Sequence, residues 1–337
     1  MTFENLSPSQ SASFGAVIGA LVGDAAGGVL EFLGRRPTRQ DIDHAMTFPG
    51  GGVFDLAPGQ FTDDGEMTMA LVNALAENNG VYDQDAVARS YSDWADSKPF
   101  DMGNATSSAL KHVDRSSQKV FEVVLRNAAQ SNSESKANGS LMRATPLAIA
   151  SCGSNEATAI AIAMNDAKLT HPHIVCQQAT AAYTLAIRHL ILNPKDQQGA
   201  LASVRSYLEP TQSEVFEWFE DAMSGELPDG KPNMGFVKIG FIHAFFHLNE
   251  KSGFRSSITQ TLALGGDTDT NACIVGGLIG AYYGVAKLMN NDSNRAAIFK
   301  VLDCDVEMGQ PRPSQYTSSN LVSQLNSLVS KATFIQP

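Results

Sequence analysis

The stretch that does most to decide the fold covers residues 265–289 and reads GGDTDTNACIVGGLIGAYYGVAKLM. An acidic turn over 265–271 leads directly into an apolar run with helical periodicity. Asp267 and Asp269 place two carboxylates beside threonine hydroxyls in this short turn. One acceptor is enough to cap a helix, so this cluster of oxygens indicates a cation as well as the beginning of a helix.

A second acidic turn, over residues 61–66 (FTDDGE), lies about 200 residues earlier and also precedes an apolar run. Helix capping is the alternative for either turn alone, because Asp and Thr are ordinary N-cap residues. Adjacent Asp63 and Asp64 repel each other, however, which favours a cation between them. An EF-hand is excluded for the later turn, since Ala272 and Leu278 stand where that loop needs Gly and Glu. If the fold brings the two turns together, they form an all-oxygen pocket for one or two divalent ions.

Glycines recur at intervals of four residues in two parts of the chain. The N-terminal set is Gly15, Gly19, Gly23 and Gly27, and the C-terminal set is Gly276, Gly280 and Gly284. On a helix, each set forms a smooth ridge that lets another backbone approach closely. The cost is about 1 kcal/mol per glycine relative to alanine. This repeated use predicts tight helix packing, and we assign these glycines no chemistry.

Helical periodicity extends over almost the whole chain, and convincing alternating strands are missing. We therefore predict an all-α fold, organised as a flexible segment over 1–13 and a single compact multi-helix domain over 14–337. The predicted helical segments are 13–30, 66–78, 117–129, 156–167, 175–190, 235–248, 255–264 and 270–289. The predicted loops are 34–60, 97–104, 130–139, 225–234 and 305–319.

Composition and charge bear on the partners and the cellular location of the protein. The 337 residues carry a formal net charge of −11, which argues against a nucleic-acid partner. The four cysteines are scattered without paired spacing, so a reducing cytosol is favoured over a disulfide framework. The N-terminus lacks the pattern of a signal peptide, and no stretch approaches the roughly 18 apolar residues that span a bilayer. We expect a soluble, cytoplasmic protein with no membrane partner.

Two further acids are candidates for chemistry. Asp24 and Glu31 are seven residues apart, close to two turns on one helical face. The alternative for Asp24 is a structural role, in which it caps a helix or pairs with another residue in the core. The alternative for Glu31 is a side chain exposed to solvent. Asp101 begins the turn 100–106 (FDMGNAT), for which an Asx-turn is the alternative.

Two other short motifs suggest a ligand. The turn 138–143 (NGSLMR) offers free amides to an anion, and Arg143 is able to add a bidentate phosphate contact. In 170–173 (THPH), a single histidine that contacts a ligand is one interpretation, and a hydrogen-bonded core histidine explains the motif equally well.

Taken together, these motifs resemble those of the ADP-ribosylglycohydrolase family. The resemblance extends over residues 19–284 and rests on six blocks in family order: GALVGDAAGGVLEF, FTDDGEMTMAL, DMGNATSSAL, NGSLMRATPL, THPHIVCQQATAAY and LGGDTDTNACIVGGLIGAYYG. It implies an all-α domain of that family's type with a dinuclear centre of two divalent metal ions, Mg²⁺ or Mn²⁺.

Matched motif by motif, the resemblance implies a role for each candidate residue. The metal ligands would be Thr62, Asp63, Asp64, Asp267, Asp269 and Thr270. The ADP-ribose site would be lined by Asn138, Gly139, Ser140, Met142 and Arg143, with His171 at the diphosphate–ribose portion. The catalytic proton transfer would fall to Asp101 or Glu31.

The implied activity is removal of ADP-ribose from a protein side chain, above all arginine, by hydrolysis of the N-glycosidic bond at the ribose C1″. A two-metal centre polarises ribose oxygens and lowers the pKa of water, while a carboxylate acts as general acid or base. The implied partners are an ADP-ribosylated protein, ADP-ribose and an ADP-ribosyltransferase. The alternatives are another linkage (serine-linked, poly- or O-acetyl-ADP-ribose) and an immunity protein that neutralises a transferase toxin by binding as well as by hydrolysis.

One departure from the family pattern concerns specificity. Many relatives carry an arginine near position 107, where this chain has Ser107 and Ser108. The target side chain is therefore left open. The complete set of metal-ligand positions argues against a non-catalytic member of the family.

Overall fold

The computed structural model describes residues 3, 5–231 and 233–332, which fold into α-helices joined by loops and short 3₁₀ turns. Within these residues the only β pairing is two isolated bridges, Gly51 with Leu56 and Ala137 with Phe236. The all-α prediction is confirmed. Each of the eight predicted helical segments overlaps an observed helix.

The helices differ widely in length, and the longest lie in the interior. In chain order they are α1 (Pro8–Gly27), α2 (Arg39–Ala45), α3 (Asp63–Glu77), α4 (Gln84–Asp96), α5 (Asn104–Leu110), α6 (Val120–Ser131), α7 (Thr145–Ala150), α8 (Glu156–Lys168), α9 (Ile174–Leu192), α10 (Gln197–Leu208), α11 (Glu214–Ser224), α12 (Val237–Asn249), α13 (Phe254–Leu262), α14 (Thr268–Tyr283), α15 (Val285–Met289), α16 (Asp292–Leu302) and α17 (Leu321–Lys331). The 3₁₀ turns are Glu209–Thr211, Val306–Met308, Ser314–Tyr316 and Ser318–Asn320. None of the described helices is both long enough and apolar enough to cross a membrane.

Helices α1 and α14 pack against each other backbone to backbone. A Cβ atom added at Gly19 would lie 2.3 Å from the carbonyl oxygen of Gly276, and one added at Gly280 would lie 2.1 Å from that of Gly15. These distances leave no room for a methyl group, so the close approach needs glycine on both helices. The tight packing predicted from the glycine spacing is confirmed.

The two helices run antiparallel, which brings the end of α1 beside the beginning of α14. At this junction the Thr268 hydroxyl donates to the carbonyl oxygen of Gly27 at 2.8 Å. Helices α9, α12 and α13 pack around α14, and every residue from Thr268 to Ala281 is buried. The acidic turn at the start of α14 therefore lies in the interior, next to the last turn of α1.

The structure differs from the predicted domain boundary at residue 14, because α1 already begins at Pro8. Ser7 and Gln10 form a capping box, in which the Ser7 hydroxyl accepts from the Gln10 amide and the Gln10 side chain accepts from the Ser7 amide. Ser11 is buried and accepts a hydrogen bond from the amide of Ala286. Residues 8–13 thus belong to the packed domain; their serine-rich composition is that of a capped helix start.

Two other local differences have simple causes. The predicted loop 34–60 contains the short helix α2, which Thr38 and Asp41 cap reciprocally. The predicted helix 270–289 is divided into α14 and α15 at Gly284, whose φ of +72° ends the first of them.

The glycine contact makes a prediction about stability. We expect Gly19→Ala to lower the free energy of unfolding by about 3 kcal/mol, even though alanine is the better helix former, because only backbone faces the new methyl group. Chemical denaturation would measure the change. A suitable control is Gly253→Ala, where the nearest atom is 4.0 Å away and a loss of less than about 1 kcal/mol is expected. Equal effects of the two substitutions would contradict the prediction.

Candidate metal centre and ligand cavity

The two acidic turns, far apart in the chain, meet at the side chain of Thr62. Its Oγ1 lies 2.9 Å from Asp24 Oδ1, 3.1 Å from Asp64 Oδ2 and 3.2 Å from Asp269 Oδ2. The Thr270 hydroxyl lies 3.4 Å from the same Asp64 oxygen. Thr62 is the N-cap residue of α3, but its side chain makes no capping hydrogen bond. Its hydroxyl faces the acidic cluster instead, which favours the metal interpretation of this turn over helix capping.

Asp24 holds the first turn in place from the side of α1. It is fully buried and accepts hydrogen bonds from the Thr62 amide at 2.9 Å, the Thr62 hydroxyl at 2.9 Å and the Gly65 amide at 2.7 Å. Asp24 was not among the residues predicted to bind metal. The available signal was a lone acid within an apolar, glycine-rich helix.

The carboxylates form two groups that share Asp269. In the first group, one oxygen each of Asp24, Asp64 and Asp269 lies within 4.8 Å of the others. In the second, the same holds for Glu31, Asp101 and Asp269. The first group is buried, whereas Glu31 and Asp101 of the second are partly exposed. The two groups form a continuous acidic cluster that extends from the interior to the surface.

Burial and mutual repulsion raise the pKa values of these acids. Desolvation is the main cause, followed by the charges of neighbouring carboxylates, and it holds the pKa values of Asp63, Asp64 and Asp269 well above the usual range. Burial likewise raises the pKa of Asp101 to about 6 and that of Glu31 to about 8. Protons or cations must therefore neutralise the cluster at neutral pH.

The donor atoms fit a hard divalent cation. Every candidate ligand offers carboxylate or hydroxyl oxygen, which is the set that Mg²⁺ and Mn²⁺ prefer. Among the described residues, Asp64 Oδ1 and Glu31 Oε2 are buried and have no hydrogen-bond partner. An unpaired buried carboxylate oxygen is unfavourable, and coordination to a cation would satisfy it.

A cavity of about 500 Å³ opens above this cluster, a size that suits a small-molecule ligand. Its acidic side consists of Glu31, Asp63, Asp101, Asp267 and Asp269. Its remaining walls come mainly from residues 102–106, with Ser135, Ala137, Asn138, Gly139, Met142, His171, Gly235 and Thr270. Thr62 and Asp64 are not on the wall and lie in the interior, fully buried.

Four residues predicted to bind substrate line this cavity: Asn138, Gly139, Met142 and His171. The Asn138 amide donates to Asp267 Oδ2 at 2.7 Å, which connects the ligand wall to the acidic cluster. A Cβ atom at Gly139 would lie 2.8 Å from His171 Cε1, so only glycine permits this contact. Burial lowers the pKa of His171 to about 3, which leaves its imidazole neutral.

Ser140 and Arg143 do not reach the cavity, which corrects their predicted contact with a ligand. The fully buried Arg143 guanidinium pairs with Asp166 at 3.1 Å and donates to the Thr170 hydroxyl at 2.8 Å and the Gly139 carbonyl at 3.0 Å. A buried cation needs such partners, and Asp166 supplies the opposite charge. Ser140 Oγ is likewise buried, 3.2 Å from Thr180 Oγ1. Both residues support the wall from behind.

Sequence reasoning also missed parts of the cavity mouth. Phe32 lines the cavity next to Glu31, is 59% exposed and has a φ of +53°. Its ring lies edge-on to Phe54, whose ring in turn contacts Phe100. The Gly103 amide donates to Asp63 Oδ2 at 3.3 Å and joins the Asp101 loop to the first acidic turn. Nothing in the local pattern around residues 32 and 54 indicated that they would meet.

Comparison with known proteins agrees with this geometry. A family model described as ADP-ribosylglycohydrolase matches residues 7–295. A predicted ADP-ribosyl glycohydrolase of Acanthamoeba polyphaga mimivirus is 31% identical over 291 residues, covering 80% of this chain and 86% of that one. The ADP-ribosyl-[dinitrogen reductase] glycohydrolase of Rhodospirillum rubrum is 28% identical over 273 residues, with 81% and 86% covered.

One further relative and one solved structure are also similar to this chain. The ADP-ribosylarginine hydrolase Tri1 of Pseudomonas putida is 29% identical over 286 residues, covering 81% of this chain and 70% of that protein. A solved structure described as an ADP-ribosylglycohydrolase-related protein complex superimposes with a TM-score of 0.65 at 23% identity, over 88% of this chain and 98% of that one. This structural likeness shows the fold.

The raised pKa values predict how stability depends on pH without metal. An acid whose pKa is higher in the folded than in the unfolded protein binds more protons when folded, so the free energy of unfolding falls as pH rises. The window lies between the unfolded values near 4 and the folded value of about 8 for Glu31. In chelator we expect a loss of more than about 1 kcal/mol between about pH 5 and about pH 8.

Denaturation at the two pH values, with chelator or with Mn²⁺, would measure this loss. Mn²⁺ should stabilise the protein more at the higher pH, because protons compete for the same oxygens. The control is Asp64→Asn/Asp269→Asn, which should reduce both the pH dependence and the effect of Mn²⁺. Equal stability of the metal-free protein at both pH values would contradict the prediction.

Proposed function

Because the chain belongs to the ADP-ribosylglycohydrolase family, we propose that it removes ADP-ribose from modified arginine side chains of proteins by cleaving the N-glycosidic bond at the ribose C1″. The observation that carries the proposal is the meeting of two acidic turns beneath a cavity of ligand size. The arginine linkage is supported by similarity to the Pseudomonas putida relative, which is an ADP-ribosylarginine hydrolase.

We propose that two divalent ions, Mg²⁺ or Mn²⁺, bind at the acidic cluster. Their ligands would be Thr62, Asp63, Asp64, Asp267, Asp269 and Thr270. Such a centre would supply Lewis acidity to the ribose oxygens of a bound substrate. Asp24 would not be a ligand in this proposal, because its oxygens already accept from Thr62 and Gly65; it would hold the turn that carries three of the ligands.

The remaining wall residues would bind and orient ADP-ribose. Asn138 donates to the carboxylate of Asp267, and Gly139 lines the cavity beside it. The neutral imidazole of His171 has its Nδ1 2.8 Å from the Thr170 hydroxyl, which leaves Nε2 for the ligand side. Arg143 and Ser140 would shape this wall without contacting the ligand.

Cleavage needs one proton on the guanidine leaving group and the loss of one from the attacking water. Glu31 and Asp101 both line the cavity, and both hold a proton at higher pH than a solvated acid would. One carboxylate oxygen each of Glu31, Asp101 and Asp269 lies within 4.8 Å of the others. Each is thus placed to exchange a proton beside the metal ligands.

A panel of ADP-ribosyl linkages, assayed with Mg²⁺, Mn²⁺ or chelator, tests the proposal. We expect hydrolysis of ADP-ribosyl-arginine to disappear with chelator and to fall by more than about 100-fold in Asp267→Ala, since a ligand carboxylate is lost. The matched control is Asp114→Asn, which replaces an exposed acid and should retain activity within about twofold.

Other results, from the panel or from a toxin-neutralisation assay, would favour a different function. Cleavage of serine-linked, polymeric or O-acetyl-ADP-ribose, with none of the arginine linkage, would sink the arginine assignment. Ser107 lies off the cavity wall and gives no structural preference among these linkages. Full neutralisation of a transferase toxin by Asp63→Ala/Asp267→Ala protein would indicate a role through binding.

Single isosteric variants distinguish the two candidate acids. Asp101→Asn and Glu31→Gln keep the shape of each side chain and remove its titratable proton. We expect the variant of the proton-transferring residue to lose about 10²- to 10⁴-fold in kcat, and the other to lose much less. Steady-state kinetics on ADP-ribosyl-arginine would measure both. If neither kcat changes, proton transfer by these two acids is excluded.

A further inference from the structure

The C-terminal segment over 303–320 lies beyond the region that the family model matches, yet it contacts the loops that carry the candidate site. We propose that Arg312 is a positioning residue for this site, a role that rests on the proposed function. It fixes the acidic turn at the beginning of α3 relative to the loop that carries Asp101.

One side of Arg312 holds the first turn of α3. Its Nε donates to Glu66 Oε1 at 2.7 Å and its Nη2 to Glu66 Oε2 at 2.8 Å, a bidentate pair with side chains only 4% and 2% exposed. The indole of Trp94 donates to the same carboxylate at 2.7 Å. Glu66 shares the first turn of α3 with Asp63 and Asp64, so this pair anchors the turn that carries both candidate ligands.

The other side of Arg312 holds the end of α4. Its Nη1 donates to the Ser97 carbonyl at 3.0 Å and its Nη2 to the Ser97 hydroxyl at 2.6 Å. Ser97 is the C-cap residue of α4, and the chain continues from it into the loop of Asp101. The planar guanidinium makes both sets of bonds at once, so it fixes the two elements relative to each other.

The backbone next to Arg312 is itself tightly held. Two hydrogen bonds join Gln310 to Gln60. The side-chain amide of Gln60 donates to the backbone carbonyl of Gln310 at 2.6 Å, and the backbone amide of Gln310 donates to Gln60 Oε1 at 3.0 Å. A Cβ atom at Gly309 would lie 2.0 Å from the Ala57 nitrogen. Residues 309–310 are therefore anchored to Ala57 and Gln60, shortly before Thr62 in the chain. Arg312 extends from this fixed backbone.

The simplest variant, Arg312→Met, is ambiguous because it leaves the buried Glu66 carboxylate without its cation and destabilises the fold. The double variant Arg312→Met/Glu66→Gln removes both charges together. The glutamine side-chain oxygen can still accept from Trp94. This variant therefore separates the stability of the pair from the positioning of the site.

The experiment compares the full-length wild type with Arg312→Met, Arg312→Met/Glu66→Gln and Arg312→Lys. Three quantities are measured: the thermal unfolding midpoint, Mn²⁺ affinity by titration, and kcat and KM on ADP-ribosyl-arginine. We expect the double variant to regain most of the lost midpoint. Its Mn²⁺ affinity and kcat should stay about 10- to 100-fold lower, as is typical when a residue behind the ligands is lost, with a smaller change in KM.

Two controls complete the set. Arg312→Lys keeps the charge without the planar fork, so it should restore stability better than it restores kcat. Arg295→Met removes an arginine from an exposed pair with Asp292 and should change none of the three quantities.

The result that would overturn the inference is a double variant that regains wild-type Mn²⁺ affinity and kcat together with its midpoint, since Arg312 would then be only a structural ion pair. A wild type that binds Mn²⁺ but cleaves no ADP-ribosyl linkage would defeat the proposed function. In that case the comparison of Mn²⁺ affinities still decides the positioning role.

Discussion

At the centre of the molecule two helices touch backbone to backbone, because glycines replace side chains along both facing ridges. This contact sets the register of α1 against α14 and places Asp24, near the end of one helix, beside Asp269, in the first turn of the other. Thr62 then joins them through hydrogen-bond distances to both carboxylates. The geometry of the acidic cluster is thus a consequence of how closely these two helices approach.

The same geometry is unfavourable for the folded protein when no cation neutralises the carboxylates. Several carboxylates are buried together, and their pKa values rise because water cannot solvate them and their neighbours repel them. Asp24 adds its own charge to this repulsion, but its oxygens accept from two backbone amides, which fixes the turn. Bound cations would offset the cost of burying these carboxylates together, so the cluster favours cation binding. Acids with strongly shifted pKa values are common at functional sites.

Local sequence patterns predicted what depends on local structure. The spacing of the glycines predicted tight helix packing but not that α1 and α14 pair with each other, and the excess of oxygens in each acidic turn indicated more than a helix cap. Local patterns failed where a residue distant in the chain determines what a side chain contacts. Arg143 looked suited to an anion, but Asp166, in α8, holds it in the core. No local feature of residues near 312 indicated that one of them would meet Glu66.

The pairing of α1 with α14 also has a consequence for how the chain folds during synthesis. Gly27 and Thr268, which join the two helices, are separated by 241 residues. During synthesis, α1 is therefore made well before its glycine-ridged partner α14 is available. Contacts of such long range slow folding and leave apolar surface exposed meanwhile. An N-terminal fragment that ends before α14 would lack both the helix partner and half of the acidic cluster, and would be a natural client for chaperones.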